Sequence, residues 1–367
     1  MNRPKDEVAA LASTPVPWLA SPGEHDGIVL ASRIRLARNA AGWRFARRLS
    51  SAQTRDLVEQ LAGAIDSVLP GRLLRIDKLS PVQRRVLIER HLISLDLAGS
   101  ERASGLWLGS DGGRTAIMIG EEDHIRLQVF APGLALERLL REAIAIDRRL
   151  ESRIPWAFDE RFGYLTACHS NVGTGLRASV MLHLPALATL GELKPILRGL
   201  EQLHLAVRGR FGEGSEPQGH YYQISNRRTL GLDEATIVAT VTEAAQRVIE
   251  GERLARQAML DDEQRRTQLE DRVHRAWGII SHARTLSGEE LTEHLGWLRV
   301  GLSLRLPPFA DSRLSWTALD HALIAGQPGH IMLTQSHAED TVRRDRLRAD
   351  LVRSWLMGGN NDVRQVH

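Results

Sequence analysis

The sequence predicts an α+β chain, in which strands and helices alternate up to about residue 255 and an all-helical part follows. Three observations support this prediction. Short apolar runs of strand length, such as Thr115–Ile119, occur in the first part. Stretches with helical periodicity separate these runs. From residue 233 to about residue 283, the helical pattern continues without a strand-like run.

Local patterns predict the elements of the first part in order. Residues 1–22 are rich in Pro, Ala and Ser and are expected to form an N-terminal arm. Residues 209–219 contain four glycines and one proline, which predicts a mobile loop. Strands are predicted at residues 28–30, 115–119, 126–130 and 221–225, and helices at residues 134–150 and 178–207.

The second part contains residues typical of helix starts and helix ends. Ser287-Gly288-Glu289-Glu290 matches a capping box and predicts a helix start. Pro307 and Pro308 end that block, and residues 343–357 form a final amphipathic pattern. Three segments are therefore predicted: an arm at 1–22, an α+β part at 23–256 and a helical part at 257–367.

Composition excludes several classes of protein. Hydrophobic residues make up 43% of the 367 residues and charged residues 25%, as in ordinary soluble proteins. No apolar run approaches the ~20 residues of a membrane span, and Pro15 and Pro17 interrupt the apolar N-terminal stretch, so no secretory signal is expected. A single cysteine cannot form an internal disulfide, which favours a reducing cytoplasm.

Basic residues do not indicate a nucleic-acid partner. Of 48 basic residues only Lys5, Lys78 and Lys194 are lysine, which is typical of arginine-rich codon usage. The net charge is only +3, acidic residues are interspersed, and no dense basic arm or DNA-binding signature occurs.

Two motifs concentrate reactive side chains. In Ala167-Cys168-His169-Ser170-Asn171-Val172-Gly173-Thr174-Gly175-Leu176-Arg177-Ala178-Ser179, the lone cysteine precedes an arginine across a turn with two glycines. In Gly120-Glu121-Glu122-Asp123-His124-Ile125-Arg126, three carboxylates precede another arginine. A thiol, an open turn and a fixed cation in one segment are much rarer than a lone Gly-x-Gly.

These motifs resemble those of the phosphagen kinases, NEEDHLR and CPSN-x-GTGLR. Among these kinases the chain is most similar to the bacterial protein arginine kinases of the McsB type, since residues 158–166 and 178–185 also follow their pattern. The resemblance covers residues 27–256 well and the helical part more weakly. It implies a phosphagen-kinase domain, an antiparallel sheet flanked by helices, followed by an all-helical domain.

The resemblance implies an ATP site built from arginines. Arg33, Arg35, Arg126, Arg177 and Arg208 would surround the phosphates, since guanidinium is always charged and matches phosphate oxygens bidentately. No P-loop occurs. His91 would lie beside the nucleotide, although a surface helix histidine explains its short motif equally well. The full implied ATP site comprises Ser32, Arg33, Ile34, Arg35, Leu36, His91, Arg126, Arg177, Ala178, Ser179, Val180, Met181, Arg208, Gly209, Arg210, Phe211, Gly212 and Glu213.

The resemblance assigns Glu122 and Glu213 to the guanidinium of the substrate, with Glu121 and Asp123 as further catalytic residues and Cys168 as a neighbouring thiolate. A solvated acidic turn and an inert buried cysteine are the plainer interpretations. Full deprotonation of arginine by a carboxylate would cost about 13 kcal/mol, so the carboxylates are expected mainly to align the guanidinium.

Two positions depart from the family pattern. His169 replaces a proline, which puts the reactivity of Cys168 in question, and Gly120 replaces an asparagine next to the Glu121-Glu122 turn. Gly120 removes no catalytic group.

The resemblance also bears on the substrate. The Ser-Arg-Ile-Arg motif begins at Ser32, which leaves no room for the substrate-enclosing helical domain of small-guanidine kinases. Proteins bearing exposed arginine are therefore the expected acceptors. A kinase for free arginine or another small guanidine is the rival enzyme, and a non-catalytic phosphoarginine-binding regulator is the rival of another class.

A last motif lies in the helical part. Arg344, Asp345, Arg348 and Ala349 match RDxxRA, by which the family binds phosphoarginine at an allosteric site. On a helix the two arginines are i,i+4 neighbours and would clamp a phosphate, whereas an Arg-rich amphipathic helix is the plainer interpretation. The resemblance further implies that ATP binds with Mg²⁺ and that no protein side chain is a ligand of the metal. It also implies a homodimer. The implied partners are a zinc-binding activator protein and a Clp-type ATPase or protease that acts in stress responses.

Overall fold

The computed structural model describes residues 4–19, 27–209, 218–307, 309, 314–335 and 338–357. Within them, an eight-stranded antiparallel sheet has the order β2-β3-β4-β5-β1-β8-β10-β9, and β6 and β7 pair separately. The strands are β1 (Val29–Arg38), β2 (Gly71–Arg75), β3 (Gly105–Gly109), β4 (Thr115–Ile119), β5 (Ile125–Pro132), β6 (Phe158–Asp159), β7 (Gly163–Tyr164), β8 (Leu176–His183), β9 (Leu205–Gly209) and β10 (Tyr221–Asn226).

Helices flank this sheet and make up the C-terminal part. They are α1 (Pro4–Ala12), α2 (Ser51–Asp66), α3 (Pro81–Glu89), α4 (Leu95–Gly99), α5 (Leu136–Glu151), α6 (Pro185–Thr189), α7 (Leu193–Gln202), α8 (Glu234–Asp261), α9 (Glu263–His282), α10 (Gly288–Ser303), α11 (Trp316–Ala325), α12 (Pro328–Thr334) and α13 (Thr341–Met357). The predicted α+β class, with an antiparallel sheet and a helical C-terminal part, is confirmed.

The two faces of the sheet have different environments. On one face, Ile34, Leu127 and Val180 join the main core under α2, α5 and α8. On the other face, a second core that includes Leu106 and Met118 packs under α1 and α3, at the β2–β4 end only. The rest of that second face is therefore available to build a site.

Two helix predictions are corrected. Residues 178–207 were predicted as one helix, but they contain the end of β8, then α6 and α7, then β9. Leu176, Ala178 and Val180 are fully buried with a period of two, which is the strand pattern. The helical region from residue 233 to residue 283 is two helices, because Asp262 ends α8 and its side chain caps α9 by accepting from Arg265 N at 2.8 Å.

One further local prediction is confirmed. Ser287 forms the predicted capping box, since its Oγ accepts from Glu290 N at 3.1 Å and its own N–H donates to Glu290 Oε2 at 2.9 Å. Within the predicted arm, α1 forms and Trp18 is 2% exposed, so this segment is packed against the domain. The proposed segment boundary between residues 256 and 257 lies inside the continuous helix α8 and stays a prediction.

Candidate active site

The antiparallel register places arginines from four strands on one face of the sheet. Arg35 on β1 lies opposite Arg177 on β8, and opposite Gln128 on β5. Arg126 is two residues before Gln128 and therefore shares its face. On the far side, Gln223 of β10 lies opposite Arg208 of β9. Side chains remote in sequence thus meet because strands β5, β1, β8, β10 and β9 are neighbours.

These side chains surround a cavity of about 660 Å³. Of the residues predicted from the sequence, the cavity is lined by Arg33, Arg35, His91, Glu121, Glu122, Arg126, Cys168, Arg177 and Arg208. It has room for a molecule the size of a nucleotide, and ligand pockets typically enclose ~300–1,000 Å³.

The floor of the cavity is strongly cationic. The pKa of Arg33 is lowered to about 10 by burial and then by the charges of Arg126 and Arg177. Burial, followed by the charges of Arg33, Arg126 and Arg177, lowers the pKa of Arg35 well below its ordinary value. Like charges facing each other across strands repel. An anion with several oxygens would relieve that repulsion, which makes the floor a polyanion site.

Polar neighbours fix the Arg33 guanidinium. Its Nε donates to Ser179 Oγ at 3.4 Å, and its Nη2 donates to Gln223 Oε1 at 3.3 Å. The guanidinium also lies 5.7 Å from the ring centroid of Phe130. Sequence reasoning missed Gln223 and Gln128. The signal that would have found them is their period-two spacing on strands that face the cavity.

The acidic turn divides into two roles. Glu121 is 3% exposed and its Oε2 lies 2.7 Å from Arg126 Nη1, while its other oxygen accepts from Ser94 Oγ. Glu122 keeps 29% of its side chain exposed and lies 3.4 Å from Arg126 Nη2. Burial raises the pKa of Glu122, against the opposing charge of Arg126. Glu121 therefore holds Arg126 in place, and Glu122 faces the open cavity.

Asp123 turns away from the cavity and is 1% exposed. Its Oδ1 accepts from Asn39 Nδ2 and from Ala167 N, each at 2.7 Å. The first of these bonds ties the Glu122 turn to the residue that follows β1, and the second ties it to the residue before Cys168. Asp123 thus positions both motifs relative to each other.

Cys168 begins a short 3-10 turn over His169–Asn171 and is partly buried. Its Sγ lies 3.1 Å from Ser170 Oγ. The thiol lines the same cavity as Glu122, so the two motifs found in the sequence converge. His169, which stands where the family has proline, is exposed and occupies the first position of the turn.

His91 is not a surface helix residue. It follows α3 with a φ of +58° and is 8% exposed. Gln128 Nε2 donates to the carbonyl of His91 at 3.2 Å and to that of Leu92 at 2.8 Å. Trp18 from the N-terminal segment packs edge-on against His91 at 5.4 Å between ring centroids. The histidine is thus fixed at the cavity wall.

Several members of the predicted ATP site lie on the opposite face. Ser32 is fully buried and bonds Gly133 O at 2.7 Å and Ala135 N at 3.0 Å. The side chains that the sheet directs into the main core are Ile34, Leu36, Ala178 and Val180. Ser179 and Met181 point the other way and line a small cleft with His91 and Trp18. Strand alternation accounts for this division.

Gly209 ends β9, next to Arg208. The predicted site residues Arg210, Phe211, Gly212 and Glu213 lie outside the described residues. The place of Glu213 in the site stays a prediction.

The residues of the RDxxRA motif lie on α13 and make contacts within the helical part. Arg348 is 1% exposed and donates to Gly326 O at 2.7 Å, to Leu286 O at 2.6 Å, and to Asp345. Arg344 instead reaches Thr341 Oγ1 at 3.2 Å. Ala349 is buried against the core. Arg348 thereby anchors α13 to the loops before α10 and α12, and the role of the motif in binding phosphoarginine stays a prediction.

No helix among the described residues combines the length and the apolar character needed to cross a bilayer. In the same part of the chain, no group of three or more His, Cys, Asp or Glu side chains is arranged to hold a metal ion.

Comparison with known proteins agrees with this geometry. Residues 53–255 match the sequence model of the ATP:guanido phosphotransferase C-terminal catalytic domain. Two solved structures share the fold: a duplicated taurocyamine kinase from Schistosoma mansoni (25% identity, TM-score 0.57, covering 66% of this chain and 35% of that chain) and a lombricine kinase (26%, 0.55, 66% and 70%). The fold and site thus define an ATP:guanido phosphotransferase.

Further matches extend into the helical part. Residues 266–365 match the C-terminal domain of the protein-arginine kinase McsB. The protein-arginine kinase of Halalkalibacterium halodurans is 41% identical over 93% of this chain and 95% of its own length. That of Symbiobacterium thermophilum is 40% identical over 92% and 96%. The chain therefore belongs to the protein-arginine kinase family.

Proposed function

We propose that this protein transfers the γ-phosphoryl group of ATP to the guanidinium of arginine side chains in proteins, forming a P–N bond. The observation that carries the proposal is the cavity itself. A partly exposed carboxylate, Glu122, and a thiol, Cys168, line the same cavity as an arginine floor. A guanidinium held by Glu122 would meet a phosphate held by Arg33, Arg35 and Arg126.

The proposal gives each group a physical task. The arginines neutralise charge on the phosphates and stabilise the transition state, where charge spreads over the transferred oxygens. Glu122 aligns one guanidino nitrogen in line with the phosphorus and accepts its proton as the P–N bond forms. Burial raises the pKa of Glu122, which makes it a better proton acceptor than an ordinary glutamate.

Mg²⁺ is proposed to enter with ATP. The family resemblance implies that phosphate oxygens and water would hold the ion, which would neutralise charge on the leaving group.

The test is mass spectrometry of a mixed protein substrate after incubation with ATP. The parent protein should produce acid-labile, base-stable phosphate on arginine. Glu122→Gln should bind ATP normally but lose at least ~100-fold in transfer, because only guanidinium alignment and proton acceptance suffer. Glu192→Gln, at an exposed position on the N-terminal side of α7, is the matched control and should behave as the parent. Parental transfer by Glu122→Gln would refute the assignment.

The rival functions make different predictions. A kinase for free arginine would turn over arginine with saturation, whereas we expect little ADP above background until a protein acceptor is added. A non-catalytic regulator would bind phosphoarginine and never label a protein. The retained arginines, Glu122 and Cys168 around one cavity favour a working enzyme.

The family resemblance extends the proposal. We propose a cytoplasmic homodimer formed through the helical part, a zinc-binding activator protein, and uptake of the marked proteins by a Clp-type ATPase or protease in stress responses. These statements are predictions from resemblance alone.

A further inference from the structure

A second, smaller cavity adjoins the candidate active site. It has a volume of about 140 Å³ and shares three lining residues with the main cavity: Asp96, Glu121 and Glu122. Its other wall includes Arg47 and Arg102. Because Glu122 is common to both cavities, a chain whose arginine reaches Glu122 passes beside this side cavity.

Two cations of the side cavity are placed in different ways. Arg102 is held in position, since its Nη2 donates to Leu49 O at 2.6 Å and to Thr54 Oγ1 at 2.7 Å. Arg47 is exposed on the 3-10 turn Ala46–Arg48. Burial raises the pKa of Glu122, and the charge of Arg47 is near enough to oppose that shift.

The loop that carries Arg47 is tied to the catalytic turn. His124 Nε2 donates to the carbonyl of Arg44 at 2.9 Å, and His124 Nδ1 accepts from Ala40 N at 3.0 Å. These bonds hold residues 40–44 directly beside the acidic turn. The backbone of the segment that leads to Arg47 is therefore fixed relative to the acidic turn.

We propose that this side cavity binds the side-chain carboxylate of an acidic residue that flanks the target arginine in the substrate polypeptide. The inference rests on the proposed function and adds its sequence preference. Once Glu121 is paired with Arg126 and Glu122 with the incoming guanidinium, Arg47 and Arg102 outnumber Asp96 in the lining. Guanidinium forks match a carboxylate, and a flanking lysine would meet like charge.

The size of the cavity agrees with this occupant. Adjacent residues of an extended chain are about 3.3 Å apart along its axis. A residue one or two positions from the target arginine would therefore come within reach of a cavity that shares Glu122 with the main one. A volume of about 140 Å³ is enough for one small acidic side chain and too small for a second folded element.

The experiment uses peptides with one arginine, blocked at both ends so that no terminal carboxylate competes. The neighbouring positions carry Glu, Gln or Lys, and kcat/KM is measured for the parent, for Arg47→Glu and for Arg48→Glu. Arg48 is the matched control, because it is exposed on the same turn and does not line the side cavity. The KM for ATP should be unchanged in both variants.

The parent should prefer the Glu peptide over the Lys peptide by about fivefold, the effect of a partly screened ion pair, and less at high salt. Arg47→Glu should abolish or reverse that preference, and Arg48→Glu should keep it. Equal rates of the three peptides with the parent, or an intact preference in Arg47→Glu, would overturn the inference and leave the proposed function standing. Failure to phosphorylate arginine in any peptide would overturn both.

Discussion

Adjacent glutamates in the acidic turn have separate roles because their surroundings differ. Glu121 is buried against Arg126 and Ser94, whereas Glu122 is exposed to the cavity. Replacing Glu121 would release Arg126 and so, under the proposed function, disturb ATP binding. Under the same proposal, replacing Glu122 would disturb the guanidinium of the acceptor. Kinetic effects of the two substitutions should therefore separate into ATP binding and transfer.

Gly120 stands where the family has asparagine, and its backbone explains why both residues fit. Its φ is +76°, a left-handed conformation that Gly and Asn adopt far more readily than other residues. A Cβ at this position would lie 3.3 Å from Ala103 O. The departure at Gly120 thus preserves the conformation that presents Glu121 and Glu122.

This leads to a prediction for two substitutions at one site. Gly120→Ala should lower the free energy of unfolding by about 1–2 kcal/mol, because the left-handed conformation strains the new side chain. Gly120→Asn should lose less than half of that. Urea unfolding measures both substitutions. Gly191 is also left-handed at +76°, but a Cβ there would have open space around it. Gly191→Ala therefore measures the cost of the backbone conformation alone. Equal stability of Gly120→Ala and the parent would contradict the argument.

Sequence reasoning at this scale found reactive side chains but not their direction. The five arginines of the predicted ATP site lie in recognisable motifs, so they could be proposed before the structure. Asp123 points away from the cavity because it binds Asn39, and Arg348 is buried because it binds the carbonyl of Gly326. Both partners are remote in sequence. Nothing in the local pattern distinguishes a carboxylate or guanidinium that binds a ligand from one that binds its own backbone.

At the scale of elements, the order of the strands creates the site. β5, β1, β8, β10 and β9 are adjacent in the sheet but far apart in the chain, and four of them contribute an arginine to one face. Single elements were predictable where the pattern was local, as for Thr115–Ile119 and the Ser287 capping box. The stretch 178–207 was not, because leucine-rich strands and short helices share similar apolar spacing in a narrow window.

The arginine floor predicts a graded response to single deletions. Arg126→Ala and Arg208→Ala should each weaken ATP binding or turnover by roughly 10–100-fold, the effect of losing one charge-assisted contact. Arg126→Ala should have the larger effect, since Glu121 and Glu122 also lose their partner. Calorimetry with ATP and steady-state kinetics measure this. Arg198→Ala, at an exposed position on α7, is the control. Unchanged ATP binding and turnover in Arg126→Ala and Arg208→Ala would refute the role of the arginine floor in binding ATP.

At the scale of the whole molecule, the helical part is tied to the catalytic part by a buried contact. Glu89 of α3 accepts from Gly329 N at 2.8 Å and from His330 Nδ1 at 2.8 Å, and so holds the start of α12. His91, two residues after Glu89, lines the active-site cavity. Residues 89–91 thus contact the helical part at Glu89 and line the active-site cavity at His91.

The same helical part predicts a pH dependence of stability. His321 is 9% exposed and packs on Trp355 of α13, and its pKa is lowered to about 4 by burial and by the charges of His330 and Arg90. The folded protein keeps this histidine neutral, whereas the unfolded chain takes up a proton below about pH 6.5. The contribution of His321 to the free energy of unfolding is therefore fully present above about pH 6.5. It is lost as pH falls towards 4, and the loss from this group is up to about 3 kcal/mol.

Urea unfolding at pH 7.5 and pH 4.5 tests the contribution of His321. His321→Gln should reduce the loss between the two pH values, because Gln does not titrate. His274→Gln, at an exposed position on α9, should leave the loss unchanged. An equal acid loss in His321→Gln and the parent would show that other groups cause it.

The RDxxRA helix permits a final prediction that separates a structural role from a binding role. Asp345 accepts from the buried guanidinium of Arg348, and its carbonyl accepts from Leu286 N at 3.0 Å. Asp345→Ala should therefore destabilise the protein by about 1–3 kcal/mol, because a buried cation loses its charged partner. Arg346→Ala, exposed on the same helix, should not.

Phosphoarginine binding to the same variants completes the test. Asp345→Asn keeps an acceptor oxygen for Arg348, so it should recover much of the stability lost in Asp345→Ala. If Asp345 also grips the guanidinium of phosphoarginine, Asp345→Asn should still bind it weakly, since the charge is gone. Calorimetry of phosphoarginine with the parent and the three variants decides the matter. Equal affinity in all four would mean that Asp345 only anchors α13, and that the resemblance of this motif does not extend to ligand binding.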